Sequence, residues 1–256
     1  MRRARPEEQE RILGEALARA RAAAPAGVAV FDLDSTILDN RPRQARILRE
    51  YGEAAGLPAL LAAGPEHWRG WDIETALVSA GLPPDVAHRH RPLALRFWAE
   101  RFFTSAYCRL DVPIPGAPEF VRAVAAAGAG IAYVTGRPAR MEDGTLDVLA
   151  RSGFVLPGAG RARLFLKRDD ALGDDAWKAA ACAEVEGMGP VALAFDNEPA
   201  HVNGYARAWP GAMVVHVDTN DSGRPVEVLA SVPSIADFHG PAAITSAAAD
   251  AKARGP

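Results

Sequence analysis

The sequence predicts an α/β fold, a Rossmann-like parallel sheet flanked by helices and interrupted by an inserted α-helical block. Three observations carry the prediction. Short apolar runs alternate with helical patterns over most of the chain, which argues for parallel strands joined by crossover helices. Three of those runs end directly in polar, chemistry-bearing residues: Gly27 to Phe31 into Asp32-Leu33-Asp34-Ser35-Thr36, Gly130 to Val134 into Thr135-Gly136-Arg137, and Val191 to Phe195 into Asp196-Asn197-Glu198. The alternation is suspended between about Asn40 and Arg109, where the pattern is helical throughout and rich in arginine and aromatic residues.

In chain order, residues 6–23 read as an amphipathic helix with Ile12, Leu13, Ala16 and Leu17 on one side. The first strand follows. Helices are then expected at 42–55, 72–80 and 84–105, punctuated by Gly56-Leu57-Pro58, Gly64-Pro65 and Gly81-Leu82-Pro83-Pro84. Val112 to Gly116 reads as a return linker. Beyond it the pattern gives a helix at 118–127, the strand ending at Val134, a helix at 144–152, a strand at 163–165, a helix at 174–186, the strand ending at Phe195, a helix at 199–208 and a strand at 212–217. The Ala-rich segment 241–256 reads as a disordered tail.

Composition restricts the function classes. The chain has 256 residues, 49% hydrophobic and 24% charged, which is ordinary for a globular protein and enough for a full core. A net charge of −3 provides no field for a nucleic-acid polymer or an acidic membrane. No apolar run approaches the roughly 20 residues that span a bilayer. Two cysteines, Cys108 and Cys182, make no disulfide framework. The N-terminus lacks the apolar core of a secretory signal, so a cytoplasmic location is expected.

Two carboxylates two residues apart at a strand end stand where open α/β sheets bind ligands. One is free to attack and the other to move a proton, and a nucleophilic aspartate is a known route through phosphoryl transfer. Alone, such a pair also fits a solvated turn or a cation site. Taken in order with Thr135, Lys178 and Asp196, it resembles the four motifs of the haloacid dehalogenase-like (HAD) hydrolase superfamily, over about residues 27–220.

That resemblance implies a core formed by residues 1–38 and 111–240 and a helical C1-type cap at 39–110. It implies Asp32 as nucleophile and Asp34 as general acid/base, with the Asp34 backbone carbonyl on the metal. The dehalogenases lack an acid at that place, so Asp34 argues for phosphate chemistry. Thr135 and the N–H of Gly136 would hold phosphate oxygens, and Arg137 either reaches the substrate or forms a surface salt bridge. Lys178 would pair with Asp32, with Lys167 as its rival. Asp196 would hold Mg2+ together with Asp32, and the motif departs from the commoner Gly-Asp followed by a second Asp, so the supporting group is Glu198 or Asn197.

The implied activity is hydrolysis of a small phosphorylated metabolite through an aspartyl phosphate. A phosphomutase with the same residues and an idle binding module of the same fold remain as alternatives. None of the six histidines has metal-ligand spacing with a second His or Cys. Trp68, Trp71 and Trp98 serve either as the core of the helical block or as a stacking surface for a substrate ring.

Overall fold

The computed structural model describes residues 5–240; the tail expected at 241–256 lies outside them. Its elements in chain order are α1 (Pro6–Ala23), β1 (Val28–Phe31), β2 (Leu38–Asp39), α2 (Arg41–Ala55), α3 (Ile73–Ser79), α4 (Pro84–Phe102), α5 (Ser105–Cys108), β3 (Val112–Pro113), α6 (Ala117–Ala126), β4 (Gly130–Pro138), α7 (Glu142–Arg151), β5 (Ala162–Lys167), α8 (Asp174–Glu186), β6 (Val191–Asp196), α9 (Pro199–Ala208), β7 (Met213–Val217) and β8 (Ser234–Ile235). Short 3₁₀ turns lie at Pro58–Ala62, Pro65–His67 and Ala139–Met141.

Six strands form one parallel sheet in the order β5-β4-β1-β6-β7-β8. The chain builds outward from β1 through β4 to β5, then returns to lay β6, β7 and β8 on the other side. The reversal falls between β1 and β6, and a reversal of this kind opens a crevice at the carboxyl ends of the two strands. Asp32 follows β1 directly and Asp196 is the last residue of β6.

Both faces of the sheet are buried, so the strands read as continuous apolar runs and their side chains sort by the two-residue period. Ala29, Phe31, Ile131, Tyr133, Leu193 and Phe195 join α1, α6 and α7 in one cluster. Val28, Val30, Ala132, Val134 and Ala194 join α8 and α9 in the other. Phe31 and Phe195 stack across the reversal at 5.1 Å between ring centres and so brace the two strands that carry the aspartates. The α1 helix forms as its apolar stripe predicts, and its Gln9 ties down the end of the described chain by donating to Asp237 and the His239 carbonyl.

The helical block leaves and returns through an antiparallel ribbon, Leu38 opposite Pro113 and Asp39 opposite Val112. The sequence pattern predicts only a return linker at Val112 to Gly116, because two-residue strands are too short to show a period. The block has its own apolar cluster, built on Leu48, Tyr51, Leu60, Trp68, Ile73 and Leu77. Gly56, with φ +65°, closes α2 in the left-handed conformation that glycine adopts without strain. The helix expected to run to 105 stops at Phe102, and α5 follows separately. Cys108 of α5 is buried in the α/β cluster rather than in that of the block. The independent packing of the block therefore ends before residue 110.

Strand β4 also differs from expectation. It continues past Val134 to Pro138, with a register shift against β5 between Thr135 and Pro138. Proline has no N–H for the ladder, so Gly136 and Arg137 lie in an irregular stretch that bends out of the pairing. Among the described residues no helix is long and apolar enough to cross a membrane.

Candidate active site

A cavity of about 300 Å³ opens at the β1/β6 reversal, lined on the sheet side by Asp32, Asp34, Thr135, Gly136, Lys178 and Asp196. Asp32 and Asp34 follow β1, Thr135 and Gly136 lie on β4, Asp196 ends β6, and Lys178 comes from α8. Lys178, on the first turns of α8, is 4% exposed and spends all three ammonium hydrogens on fixed acceptors: Asp32 Oδ1 at 2.5 Å, Asp196 Oδ2 at 2.9 Å and the Val134 carbonyl at 2.9 Å. Lys167, the rival lysine, does not line the cavity; its ammonium pairs with Asp174 at 2.7 Å.

Two buried carboxylates thus share one ammonium, and their acidities part accordingly. Burial opposes ionisation at both. At Asp196 the Lys178 ammonium and His201 overcome it and hold the carboxyl well below the usual range. At Asp32 burial prevails over Lys178, with the Asp196 charge adding to it, and the carboxyl is pushed up. One cation cannot compensate two anions in a dry site.

Thr36, just past the paired aspartates, donates its hydroxyl to Asp32 Oδ2 at 2.8 Å and accepts the Asn197 N–H at 3.0 Å, so it locks the ends of β1 and β6 together. The intervening Ser35 has φ +60°, a strained conformation for a side-chain-bearing residue, and its amide closes the turn on the Leu38 carbonyl at 2.7 Å. The Thr135 hydroxyl accepts the Arg137 N–H, and its carbonyl accepts the Trp177 indole N–H at 2.8 Å. A Cβ on Gly136 would stand 2.9 Å from the Asp174 carboxylate, so only glycine fits there without displacing it.

Asp34 is placed differently from what its motif suggests. Its Oδ1 accepts from Arg43 at 2.6 Å, from Arg137 at 2.9 Å and from Asn40 at 3.1 Å, and its Oδ2 accepts from the Arg137 Nε at 2.7 Å. Against the opposing effect of burial, the two guanidiniums hold the carboxyl well below the usual range. Arg137 is therefore neither a free substrate contact nor a surface salt bridge. It is 2% exposed and bridges Asp34 to Asp111, which it meets at 2.6 Å. Arg43, from the first turn of α2, is fully buried; its Nε stands 3.0 Å from Asp111 and its guanidinium lies 3.8 Å over the Phe102 ring.

The two residues after Asp196 point to different tasks. The Asn197 side chain bridges Thr36 and the Asn220 carbonyl. Glu198 accepts from the Ser222 amide at 3.0 Å, the Ser222 hydroxyl at 2.9 Å and Arg224 at 3.0 Å, which pins the loop after β7 to the cavity rim. Among the described residues no cluster of three or more His, Cys, Asp and Glu is arranged to hold a metal ion.

Several contributors escaped sequence reasoning. His201, five residues past Asp196 in the first turn of α9, has Nδ1 3.4 Å from Asp196 and Nε2 2.9 Å from Asp175. Its place was legible as the start of the helix after a motif strand, but not its contact. Arg43 carried no sequence signal, since arginines are common in its stretch, and Arg224 stands in a loop without motif or period. The fourth wall of the cavity comes from the helical block and consists of Trp71, Trp98, Phe102 and Phe103.

Fold, strand order and the position of this cleft define a Rossmann-like α/β protein with its site at the sheet reversal. The architecture is the haloacid dehalogenase-like fold. A haloacid dehalogenase-like family hydrolase, SP0104 from Streptococcus pneumoniae, superimposes with a TM-score of 0.51 at 12% identity, over 82% of this chain and 93% of that one. Protein Tyrosine Kinase A (PtkA) from Mycobacterium tuberculosis does so with a TM-score of 0.51 at 18% identity, over 83% and 94%. Two such different names on one architecture show that the fold alone does not decide the activity. A phosphoglycolate phosphatase from Pseudomonas putida is 32% identical over 133 residues, 49% of this chain. The match spans about half of that relative, 47% of its length. No protein-family model matches the chain.

Proposed function

We propose that the chain is a magnesium-dependent phosphatase that hydrolyses a small phosphomonoester through an aspartyl phosphate on Asp32. The observation that carries this reading is the Lys178 ammonium held between Asp32 and Asp196 at the sheet reversal. A buried lysine bound to two carboxylates offers positive charge where a transferring phosphoryl group would bring negative charge, and such fixed charge stabilises a transition state most in a site shielded from water. The relative named a phosphoglycolate phosphatase supports the same chemistry.

In this reading an Asp32 oxygen attacks phosphorus and the bond to the leaving oxygen breaks. The departing alkoxide takes a proton from Asp34. A water that loses its proton to Asp34 then attacks the phosphorus of the acyl phosphate, which releases inorganic phosphate and restores Asp32. One carboxyl serves both steps because the second reverses the proton flow of the first. Thr135 and Gly136 receive phosphate oxygens. In the described state Asp34 is ionised between two guanidiniums, so for the acid role it must exchange a guanidinium for the leaving oxygen and take up a proton from solvent before the first step; Arg43 is the partner carried by the helical block, so a shift of α2 is the motion that frees it.

The donor set fits magnesium: two buried carboxylates with all-oxygen donors, beside room for water and a phosphate. Asp32, Asp196 and the Asp34 carbonyl would hold the ion, which when bound adds charge against the phosphate oxygens. Release of inorganic phosphate from an aryl phosphate, with magnesium and then with excess chelator, tests the proposal. Turnover should need the metal and should vanish in Asp32→Asn. Full activity in chelator would overturn the metal assignment, and an active Asp32→Asn would overturn the nucleophile.

A further inference from the structure

Every residue that the helical block contributes to the cavity is aromatic, Trp71, Trp98 and Phe102, and Phe103, just past the end of α4, adds a fourth ring. They form one ring cluster. Trp98 stacks on Phe102 at 4.4 Å, and Trp71 and Phe103 meet Phe102 edge-on at 5.5 and 5.1 Å. Phe102 is buried, whereas Trp71, Trp98 and Phe103 remain half-buried. Trp68, by contrast, is 1% exposed inside the block's own core. The block thus separates its aromatics into those that fill its interior, Tyr51 and Trp68 with Phe97 packed against them, and a group that faces the cavity.

The cations around the cavity are already engaged. Lys178 is shared by Asp32 and Asp196, Arg137 by Asp34 and Asp111, and Arg224 by Asp175 and Glu198. Each stands between two carboxylates, and His201 stands between Asp196 and Asp175. With Lys178 given to the phosphoryl group, a leaving group with a second anionic centre would meet aromatic faces on one side and, on the other, only cations already paired with carboxylates. Desolvating that anion without a partner would cost more than the rings return.

We infer that the leaving group of the substrate carries an uncharged, planar aromatic ring, which packs on the Trp71–Trp98–Phe103 wall while the phosphate occupies the Asp32 end. The inference rests on the phosphatase reading and adds the substrate class to it. A cavity of about 300 Å³ holds a phosphate and one ring rather than an extended ligand. A simple aryl or arylmethyl phosphate and a nucleoside 5′-monophosphate share this chemistry, and the assay separates them.

The test compares benzyl phosphate, cyclohexylmethyl phosphate, thymidine 5′-monophosphate and 2-phosphoglycolate as substrates of the full chain with magnesium. Benzyl and cyclohexylmethyl esters have similar shape and similar leaving-group basicity, so their ratio isolates the aromatic contribution. Aromatic pairs gain about 0.5–1.5 kcal/mol beyond area burial, so kcat/KM should favour benzyl by about 2- to 10-fold, chiefly through KM. 2-Phosphoglycolate should trail benzyl phosphate by about 100-fold or more, because its carboxylate would be desolvated without a partner. The thymidine ester against the benzyl ester distinguishes a nucleotide from a simple ring. Trp71→Leu and Trp98→Leu should each shrink the benzyl preference toward unity.

A binding arm uses benzylphosphonate and phosphonoacetate, which have no ester to cleave, read by quenching of tryptophan fluorescence. Benzylphosphonate should bind about tenfold more tightly or better. Equal or reversed affinity, or faster turnover of 2-phosphoglycolate than of benzyl phosphate, overturns the aromatic assignment. Failure to hydrolyse any ester while the benzylphosphonate preference persists overturns the phosphatase reading and leaves the ring site standing.

Discussion

The α/β core and the helical block bury their polar groups in opposite ways. The core gathers Asp32, Asp111, Lys178, Asp196 and Arg137 into its interior and closes them against one another. The block, from α2 to α4, buries a single charged side chain among its described residues, Arg43, and that one turns away from the block's own apolar cluster to meet Asp34 and Asp111. A buried charge costs several kcal/mol unless it is paired, so a region keeps such groups only where something else requires them. The core carries that cost at the sheet reversal, where the proposed chemistry lies. The block is spared it except at Arg43, which grips the core. The block has its own apolar cluster, and its ties to the rest of the chain include the two-strand ribbon, the Arg43 guanidinium, the Asn220 amide on the Trp68 carbonyl and the Tyr107 hydroxyl on Glu50.

The largest effect is expected on the core side of that grip. Asp34→Asn keeps the backbone carbonyl and a side chain of the same shape, but removes the proposed proton donor and base. General acid–base catalysis is worth about 10²–10⁴-fold, so turnover of alkyl phosphates should fall by that factor. Esters with weakly basic leaving groups need little protonation in the first step, so with them phosphorylated Asp32 should accumulate. Acid quench and mass spectrometry of the peptide around Asp32 would detect it. Wild-type turnover of both ester types would remove Asp34 from the mechanism and leave its two arginines as purely structural partners.

That pairing also shows how far the sequence could be read. Asp32, Thr135, Lys178 and Asp196 were legible because each is fixed by a strand end or by the helix leading to one, and strands that are buried on both faces announce themselves as apolar runs. The parallel character of the sheet followed from the same alternation, whereas its strand order did not. What stayed hidden depends on tertiary meeting rather than local pattern. Arg43 looks like its neighbours Arg41, Arg46 and Arg49, and only the docking of α2 beside Asp111 distinguishes it. The strand β8 is two residues long after a long loop, too brief to show a period. The division of Trp68 from Trp71 and Trp98 is a matter of which side of a small helical unit each occupies, and three residues of spacing do not fix that.

The second prediction sharpens the view of Arg43 as the block's buried charged anchor. Breaking a buried ion pair by removing one partner costs about 3–5 kcal/mol. Arg43→Met should come in near the lower end, about 3 kcal/mol, because Arg137 still reaches both Asp34 and Asp111. Arg43→Lys keeps the charge but not the fork that serves Asp34, Asp111 and the Phe102 carbonyl together, so it should recover less than half. Arg89→Met, on the same block but exposed and paired only with Asp85, should change stability by about 0–0.5 kcal/mol. Urea unfolding of the three variants gives the comparison. Equal losses for Arg43→Met and Arg89→Met would mean that the buried pair anchors nothing.

The smallest effect belongs to the block alone. Asp72 caps α3: its Oδ2 accepts the Thr75 amide at 2.8 Å and the Thr75 hydroxyl at 2.6 Å. Partial burial disfavours the charged carboxylate, but the two Thr75 bonds, with further help from the Glu74 amide and Arg91, outweigh it, and the carboxyl lies below its ordinary range. A folded-state pKa below the unfolded one means that the stabilisation is complete above the unfolded value and drains away as pH falls through the folded value. Asp72→Ala should therefore cost about 1 kcal/mol at neutral pH. The gap to the parent protein should narrow below about pH 4, where the parent's own cap becomes protonated. The same experiment tests whether the block unfolds with the core. If α3 melts as part of a single cooperative transition, the loss appears in the midpoint of the whole protein. If the block opens separately, amide exchange of α3 will quicken while the core strands keep their protection, and the global midpoint will not move. The second outcome would extend the contrast in packing to a contrast in stability; the first would show that the ribbon, the buried guanidinium and the few polar ties around them are enough to couple the block to the core.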